Sequence, residues 1–329
     1  MLLDSLSCFD QGKTGLKRKS RNCSESHWVE WARTALKTGV SGDSLGAIRI
    51  FFGLIMVLEA YSLFQPSEST AGQIMIDTYY AGGGTMTYFP YPGFSWLPMF
   101  PKSVISGLVI LLGVAGFLMA IGLFFRFAVV TVFLIWGYLF AVESTRTYWM
   151  SYYYLELLLA FLLIWMPAAR CLNPFQRRKP HRSGAIPFWP IALLRAQLVI
   201  SYFYAGVAKL NADWLLDAQP LKYFLAQEHV VLPGAYLTSL IKTEAFAYLL
   251  SYSGALFDLS IGFLLLWRRT RFLGMIVLFA FHATNHWLLF EDILWFPLLG
   301  IGTATIFLEP DWPMRARRYC LNLIQLKER

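Results

Sequence analysis

Long apolar runs alternate with short polar segments along most of the chain. A membrane-spanning helix needs about 20 mostly apolar residues, and the pattern predicts eight such helices. Their approximate bounds are 45–64, 104–124, 127–143, 150–168, 187–209, 245–266, 272–290 and 293–308. The third and last runs are short, and the last is compatible with a half-helix or a re-entrant segment. The pattern therefore predicts an all-α fold, a polytopic helical bundle embedded in a membrane.

The polar segment before the first run contains an amphipathic stretch. Residues 26–37 read SHWVEWARTALK. As a helix, this stretch has an apolar face made by Trp28, Trp31, Ala32, Ala35 and Leu36. A helix with opposite apolar and polar faces lies in the plane of the membrane surface. We therefore predict an interfacial helix near the amino terminus.

The same pattern divides the chain into three parts. Residues 1–25 are rich in Ser, Lys, Arg and Asn and predict a flexible basic tail. They contain no apolar core that would indicate a secretory signal peptide. A transmembrane domain follows over residues 26–318, and residues 319–329 form a short cytoplasmic tail. The longest loop, 65–103, is rich in Pro, Gly and aromatic residues, and is either a lid over the bundle or a plain connector.

Composition supports the membrane assignment. Apolar residues make up 57% of the chain and charged residues only 15%, whereas a soluble domain averages about a quarter charged residues. The aromatic content of 17% is typical of a protein with many side chains at bilayer interfaces. The net charge of +8 is explained by basic cytoplasmic loops. We therefore expect no nucleic-acid partner.

Basic residues are distributed unevenly between the two sides of the predicted bundle. With eight spans, 21 of the 28 lysines and arginines fall in segments on one side. The opposite loops contain only Lys102, Arg146, Lys222 and Lys242. Because cytoplasmic loops carry the excess of basic residues, we predict a multi-pass protein of the cell membrane with both termini in the cytoplasm.

The four cysteines are scattered and form no CxxC pair, which argues against a metal site. They are Cys8, Cys23, Cys171 and Cys320. On the predicted topology all four face the reducing cytoplasm, so we expect no disulfide.

Seven ionisable residues within the predicted spans are the main candidates for a functional role. They are Arg49, Glu59, Glu156, Arg195, Lys209, Asp258 and His282. A charge at the bilayer centre costs about 2.5–3.5 kcal/mol on insertion scales, so such residues usually pair or line a polar cavity. For Arg49, Glu59 and Arg195 we favour buried ion pairs that hold helices together. Asp258 fits either role.

Lys209 ends the fifth predicted helix at the exoplasmic face, within YFYAGVAKLNADW. One interpretation is a lysine that snorkels to water. The other is an amine in a partly dry pocket, capped by Asn211, Asp213 and Trp214. Desolvation disfavours the charged amine and would make it a usable base. The residue pattern is compatible with both.

Several blocks of sequence resemble one known family. The longest is IPFWPIALLRAQLVISYFYAGVAKLNADW at residues 186–214, and its most specific companion is FHATN at residues 281–285. LGAIRIFFGLIMVLEA, SYYYLELLLAFLLIWMPAAR, SGALFDLSIGFLLL and EPDWP agree in the same order. These blocks are similar to the membrane domain of vitamin K-dependent gamma-glutamyl carboxylase and its bacterial relatives. That group belongs to the horizontally transferred transmembrane (HTTM) domain family.

The resemblance implies a chemistry for Lys209. In that family the lysine of the AGxxKLxxDW block deprotonates vitamin K hydroquinone, and the anion reacts with O2 to give a strongly basic alkoxide. The alkoxide removes a gamma proton from a peptide glutamate, the carbanion takes up CO2, and the quinone leaves as its epoxide. The resemblance therefore implies vitamin K hydroquinone or menaquinol as cofactor, O2 and CO2 as co-substrates, and no metal. Membrane lipid, the quinol and a glutamate-containing peptide would be the partners.

The family pattern is only partly present. His282 matches a family histidine, and Asn285 follows one turn later. Ser151 and Tyr152 stand where the family carries an Asn-His pair, and Ser251 stands at a second histidine position. Tyr152 would either donate a hydrogen bond in place of the missing histidine or simply pack between helices, with Glu156 one turn below it.

The resemblance gives the following candidate site. The catalytic residues would be Lys209, His282 and Tyr152, and the cofactor-binding residues would be Asn285, Trp214, Asp213 and Asp258.

Three functions remain open. The first is a quinol-dependent membrane enzyme of the carboxylase or epoxidase kind, a carbon-carbon lyase. The second is a non-catalytic HTTM accessory or maturation protein that has lost the Asn-His part of the site. A transporter is a weaker third option, because the chain shows no inverted repeat. The eukaryotic enzyme continues into a lumenal domain that this chain lacks, so we expect a short, bacterial-type member.

Overall fold

The structure is a computed structural model that describes residues 30, 33–66, 72–80, 89–143, 152–173, 185–227, 230, 233–289 and 295–327. The elements in chain order are β1 (Gly39–Ser41), α1 (Asp43–Ser62), α2 (Met75–Tyr80), α3 (Lys102–Ile121), α4 (Phe125–Val142), α5 (Tyr152–Trp165), β2 (Ala185–Pro187), α6 (Trp189–Ala208), α7 (Ala212–Leu215), α8 (Leu221–Ala226), α9 (Ala235–Ile241), α10 (Glu244–Leu266), α11 (Arg271–Thr284), α12 (Trp295–Ala304) and α13 (Trp312–Lys327). A π turn, Asn285–Leu289, extends α11, and short 3-10 turns lie at Ala168–Arg170 and Thr305–Phe307.

Five helices in the described part of the chain are long and apolar enough to cross a membrane. They are α1, α3, α4, α6 and α10, with lengths of 18 to 23 residues. This confirms the prediction of a helical membrane bundle. The other three predicted spans are occupied by shorter helices: α5 and α11 have 14 residues each, and α12 has 10. The π turn lengthens α11, and a 3-10 turn lengthens α12.

Small residues let the first half of the bundle pack tightly. A Cβ added at Gly53 of α1 would lie 2.6 Å from the carbonyl oxygen of Gly116 in α3. One added at Gly116 would lie 2.9 Å from the carbonyl oxygen of Gly53. The two backbones are therefore in direct contact, which is the usual device for joining helices in a lipid environment, where there is no hydrophobic drive between them.

The helices α6 and α10 use the same device. A Cβ at Gly206 of α6 would lie 2.8 Å from the backbone nitrogen of Leu259 in α10. At the other end of the contact, a Cβ at Gly262 would lie 2.9 Å from the Val199 side chain. The contacts run in opposite directions along the two helices, so α6 and α10 pack antiparallel.

Two arginines within the bundle stabilise chain turns instead of forming the ion pairs we predicted. Arg49 is fully buried and donates to the carbonyl of Leu172 at 3.1 Å. Arg195 donates to the carbonyls of Ile306, Phe307 and Leu308 at 2.9, 3.3 and 3.0 Å. The last carbonyls of a helix have no partner within the helix. A guanidinium with several donors satisfies them, so within the described residues this role replaces pairing with a carboxylate.

The two-stranded sheet connects distant parts of the chain. β1 pairs antiparallel with β2, with Val40 opposite Ile186. The pairing holds the start of α1 beside the start of α6.

The described residues cover the two predicted ends of the chain to different extents. Residues 1–25 and half of the predicted interfacial helix at 26–37 lie outside the described residues, although residues 33–37 are helical. At the other end, α13 runs to Lys327 and so continues through the predicted boundary at residue 318.

Candidate functional site

Asn211 fixes the backbone around Lys209. Its side-chain oxygen accepts from the backbone N–H of Trp214 at 2.9 Å and caps the amino terminus of α7. Its amide nitrogen donates to the carbonyl of Ala208 at 2.8 Å and satisfies the carboxyl end of α6. One asparagine therefore ends one helix and begins the next, with Lys209 at the turn between them.

The amine of Lys209 contacts a buried carboxylate of α10. Its Nζ donates to Asp258 Oδ2 at 2.6 Å, and the two side chains are 21% and 5% exposed. The indole of Trp214 covers the amine from another side, with 4.9 Å between Nζ and the ring centroid. The mutual attraction offsets part of the desolvation of both charges. The side chain therefore points into the protein and does not extend away from it as a snorkelling lysine would.

Trp214 is held in place by Ser251. The indole nitrogen donates to the carbonyl of Ser251 at 2.8 Å, and the Ser251 hydroxyl donates to the carbonyl of Trp214. These reciprocal bonds tie α7 to α10. Ser251, which stands at a histidine position of the resembling family, therefore has a structural role beside the amine.

A second polar pair lies among aromatic rings where α6 meets α11. Tyr202 Oη and His282 Nε2 share a hydrogen bond of 2.8 Å, and the histidine is fully buried. A Cβ at Gly300 would overlap with the same nitrogen, so only glycine leaves room for the imidazole. Within the described residues the other ring nitrogen, Nδ1, has no hydrogen-bond partner. A buried polar atom in this state is available to a ligand.

The two pairs belong to one region of the bundle. Tyr202 precedes Lys209 by seven residues, so both lie on the same face of α6 about two turns apart. Phe257, next to Asp258, has its ring centroid 5.8 Å from that of Tyr202 and 3.7 Å from that of Phe281. The helices α6, α10 and α11 therefore converge on a single aromatic-lined region that contains both pairs.

Tyr152 lies in a different cluster. Its hydroxyl donates to Glu59 Oε1 at 3.3 Å, and Glu156 on the next turn is fully buried. The ring of Phe296 contacts both Tyr152 and His282, with centroid distances of 5.8 Å and 5.1 Å. The structure therefore brings Tyr152 to the side of an acidic group and not into contact with His282.

The remaining predicted residues are placed as follows. Asn285 starts the π turn after α11 and is half-buried, one turn beyond His282. Asp213 is exposed on α7, and among the described residues its carboxylate forms no ion pair with Lys209. Asp258 takes that place because α10 packs directly on α6. Ser151 lies outside the described residues.

Tyr202 is a site residue that the sequence pattern did not indicate. Its only signal is its position seven residues before Lys209, which puts both side chains on one helix face. The partner, His282, lies 80 positions away, and this contact is not visible in the sequence pattern.

The family comparison covers this region completely. The HTTM domain profile matches residues 39–312, which include both polar pairs and every described candidate residue. No solved structure matches the chain significantly. The likeness to the carboxylase membrane domain is consistent with the match. The chain therefore belongs to the HTTM domain family.

Proposed function

We propose that this protein is a membrane enzyme in which Lys209 deprotonates a quinol, either vitamin K hydroquinone or menaquinol. The quinol anion would react with O2, and epoxide formation would drive carboxylation of a glutamate-containing peptide, as the resemblance implies. The observation that carries the proposal is the direction of the Lys209 side chain. Its amine lies against a buried carboxylate and an indole, in a setting suited to proton transfer.

The ion pair gives the amine a way to become a base. In the charged pair, Lys209 already carries a proton and cannot accept another. Transfer of that proton to Asp258 along their 2.6 Å hydrogen bond leaves a neutral amine and a neutral acid. This neutral amine would be the base for a quinol hydroxyl, a phenol with a pKa of about 10. The ammonium that Lys209 then becomes would offset the negative charge on the ionised quinol.

His282 supports the same proposal from the other side of the region. Its imidazole is held by Tyr202, and Nδ1 is without a partner among the described residues. This atom would accept or donate a hydrogen bond to a quinone oxygen. The rings of Phe257 and Phe281 beside it offer an apolar surface for the quinol ring.

The proposal includes an eight-span topology with both termini in the cytoplasm. Ion pairs at one end of the bundle support it, because Arg268 and Arg271 both contact Glu309 and so join the loops before α11 and α13. Those loops belong to the basic side of the chain. Lys209 then lies near the opposite, exoplasmic face of the cell membrane.

A non-catalytic role as a membrane accessory or maturation protein is the second candidate. Tyr152, at the position of the family's catalytic histidine, donates to the carboxylate of Glu59, and Phe296 contacts both its ring and that of His282. This placement favours a structural role for Tyr152. A non-catalytic protein that keeps the helical bundle but lacks the family's histidine at this position would have the same arrangement around Tyr152.

Epoxide formation distinguishes the two candidates. The purified protein is reconstituted with vitamin K hydroquinone or menaquinol, O2 and bicarbonate, with and without a glutamyl peptide, and the epoxide is quantified. We expect product with the unmodified protein and none with Lys209→Ala.

Lys222 provides a matched control for this experiment. It also pairs with a carboxylate, Glu244, at 3.3 Å and lies over an aromatic ring, Tyr248, at 4.7 Å. Lys222→Ala should keep full activity. Absence of product with every quinol, or equal product with Lys209→Ala, would contradict the enzyme and favour the accessory role.

A further inference from the structure

In the middle of the last helix, α13, the bundle leaves side chains uncovered. The backbone N–H of Ser44 donates to the carbonyl of Pro310 at 2.9 Å, which fixes the start of the helix against α1. Over residues 315–322 the side chains are exposed, and Tyr319 is 66% exposed. The helix therefore leaves the bundle soon after it begins.

The sequence of α13 is amphipathic. At helical spacing, one face consists of Trp312, Ala316, Tyr319, Cys320, Leu323 and Leu326. The opposite face carries Arg317, Arg318 and Gln325, and is interrupted by Met314, Leu321 and Ile324. A tyrosine and a tryptophan on the apolar face are typical of helices at the boundary between lipid and water.

The position of α13 along the chain places it at that boundary. The apolar segment containing α12 ends at Phe307, and only residues 308–311 separate it from α13. A chain of four residues reaches at most about 14 Å. The helix therefore begins close to the point where the preceding segment leaves the apolar part of the bundle.

The charge around α13 is strongly positive. Arginines outnumber carboxylates in α13 and in the segment 268–271 that contacts Glu309; these arginines are Arg268, Arg269, Arg271, Arg315, Arg317 and Arg318. Glu309 and Asp311 are already paired with arginines, and Asp43, beside Ser44, accepts from the Ser41 hydroxyl. Arg317 and Arg318 form no ion pair within the described part of the chain and remain exposed.

We propose that α13 lies flat on the adjacent membrane leaflet and binds anionic phospholipids. Its apolar face enters the boundary between headgroups and acyl chains, and Arg317 and Arg318 contact the phosphate-bearing headgroups. An anionic leaflet is the partner that matches both features, because it presents apolar surface and negative charge side by side. This inference does not depend on the proposed chemistry of Lys209.

A fluorescent reporter tests the orientation of the helix. A bimane label is attached through Tyr319→Cys or, as the matched control, through Arg317→Cys, in a background in which Cys8, Cys23 and Cys320 are replaced by serine. The full chain is reconstituted in nanodiscs of phosphatidylglycerol and phosphatidylcholine, or of phosphatidylcholine alone. Quenching is measured with doxyl-labelled lipids and with aqueous iodide.

The proposal predicts a specific contrast. In discs with phosphatidylglycerol, the label at position 319 should be quenched severalfold more by doxyl lipid than the label at position 317, and iodide should show the reverse order. The contrast should weaken in phosphatidylcholine alone and at high salt. Combined replacement of Arg317 and Arg318 by glutamine should weaken lipid quenching at position 319 without changing the unfolding temperature.

Three results would overturn the proposal. One is equal quenching at the two positions. Another is quenching at position 319 that changes neither with the content of anionic lipid nor with replacement of the two arginines. The last is quenching at position 319 that depends on the number of protein copies per disc and not on lipid, which would assign the face to a second copy of the chain.

Discussion

Asp258 would control the proton on Lys209 in the proposed reaction. The two residues lie 49 positions apart in sequence, yet their charged atoms are 2.6 Å apart. The carboxylate forms an ion pair with the amine, and in the proposed reaction it takes the proton that frees the amine. Under this proposal, a single buried aspartate has an electrostatic role and a proton-transfer role.

The substitution Asp258→Asn tests the proton-transfer role. The new amide would keep a hydrogen bond to the amine and lose the ability to accept its proton, so epoxide formation should fall by about 10²- to 10⁴-fold, the usual contribution of general acid-base catalysis. The measurement is the epoxide yield of the reconstituted protein.

Glu244→Gln, at the matched Lys222 pair, is the control for that experiment. It should leave the epoxide yield unchanged. If Asp258→Asn also leaves the epoxide yield unchanged, the carboxylate takes no part in the proposed proton transfer from Lys209.

Gly300 gives a prediction about His282. In Gly300→Ala the new Cβ would overlap with His282 Nε2, so the imidazole must move and the bond to Tyr202 must break. Overpacking of this kind costs about 1–3 kcal/mol of folding free energy, and the unfolding temperature in detergent should fall. Gly107→Ala is the control, because nothing lies within 4 Å of its Cβ. An unchanged unfolding temperature for Gly300→Ala would show that the helix shifts without cost.

At the residue level, the sequence carries a signal only for local contacts. Trp214, five positions after Lys209, lies over the amine because α7 folds back on the end of α6. Asp213 is adjacent in sequence but faces outward, because helical geometry turns neighbouring side chains apart. Asp258 and Tyr202 reach their partners through helix packing, and spacing along the chain carries no signal for such contacts.

At the scale of helices, the close contact between α6 and α10 brings Asp258 to the amine of Lys209. Gly206→Ala would place a Cβ 2.8 Å from the backbone nitrogen of Leu259 and push the helices apart. We expect the Lys209–Asp258 contact to lengthen and epoxide formation to fall. Gly254→Ala on α10 is the control, because its Cβ would meet Trp214 at an ordinary 3.7 Å. Equal activity of the two variants would show that the close approach of the helices does not position the amine.

Long helices were predictable, and short ones were not. The runs that gave α1, α3, α4, α6 and α10 are nearly uniform in apolar character over 18 or more residues, which few other structures tolerate. In contrast, α7, α8 and α9 have four to seven residues each and lie in a segment without sustained periodicity. All three contact α10, and α7 is also capped by the side chain of Asn211. The predicted bounds of α5 exceed the helix because its flanking residues leave the helical path at Met166.

For the whole molecule, the proposed topology predicts which cysteine reacts and from which side. Cys320 is exposed on α13, so a membrane-impermeant maleimide should label it only from the cytoplasmic side. Cys171 should stay unlabelled in the folded protein, because burial raises the pKa of its thiol to about 11 and leaves little reactive thiolate near neutral pH. Mass spectrometry of right-side-out and inside-out vesicles measures both. Labelling of Cys320 from the exoplasmic side would contradict the proposed orientation and indicate the inverted one.

The small sheet has a consequence for biogenesis. β1 contains residues 39–41, and its hydrogen-bonding partner β2 begins only at residue 185. During synthesis, the first strand must wait until the helices α1 to α5 have been made before its backbone groups are satisfied. Pairing of the two strands therefore joins the early and late parts of the nascent protein. If a ribosome stalled before β2, the strand β1 would have no partner, and the early part would be exposed to membrane quality control.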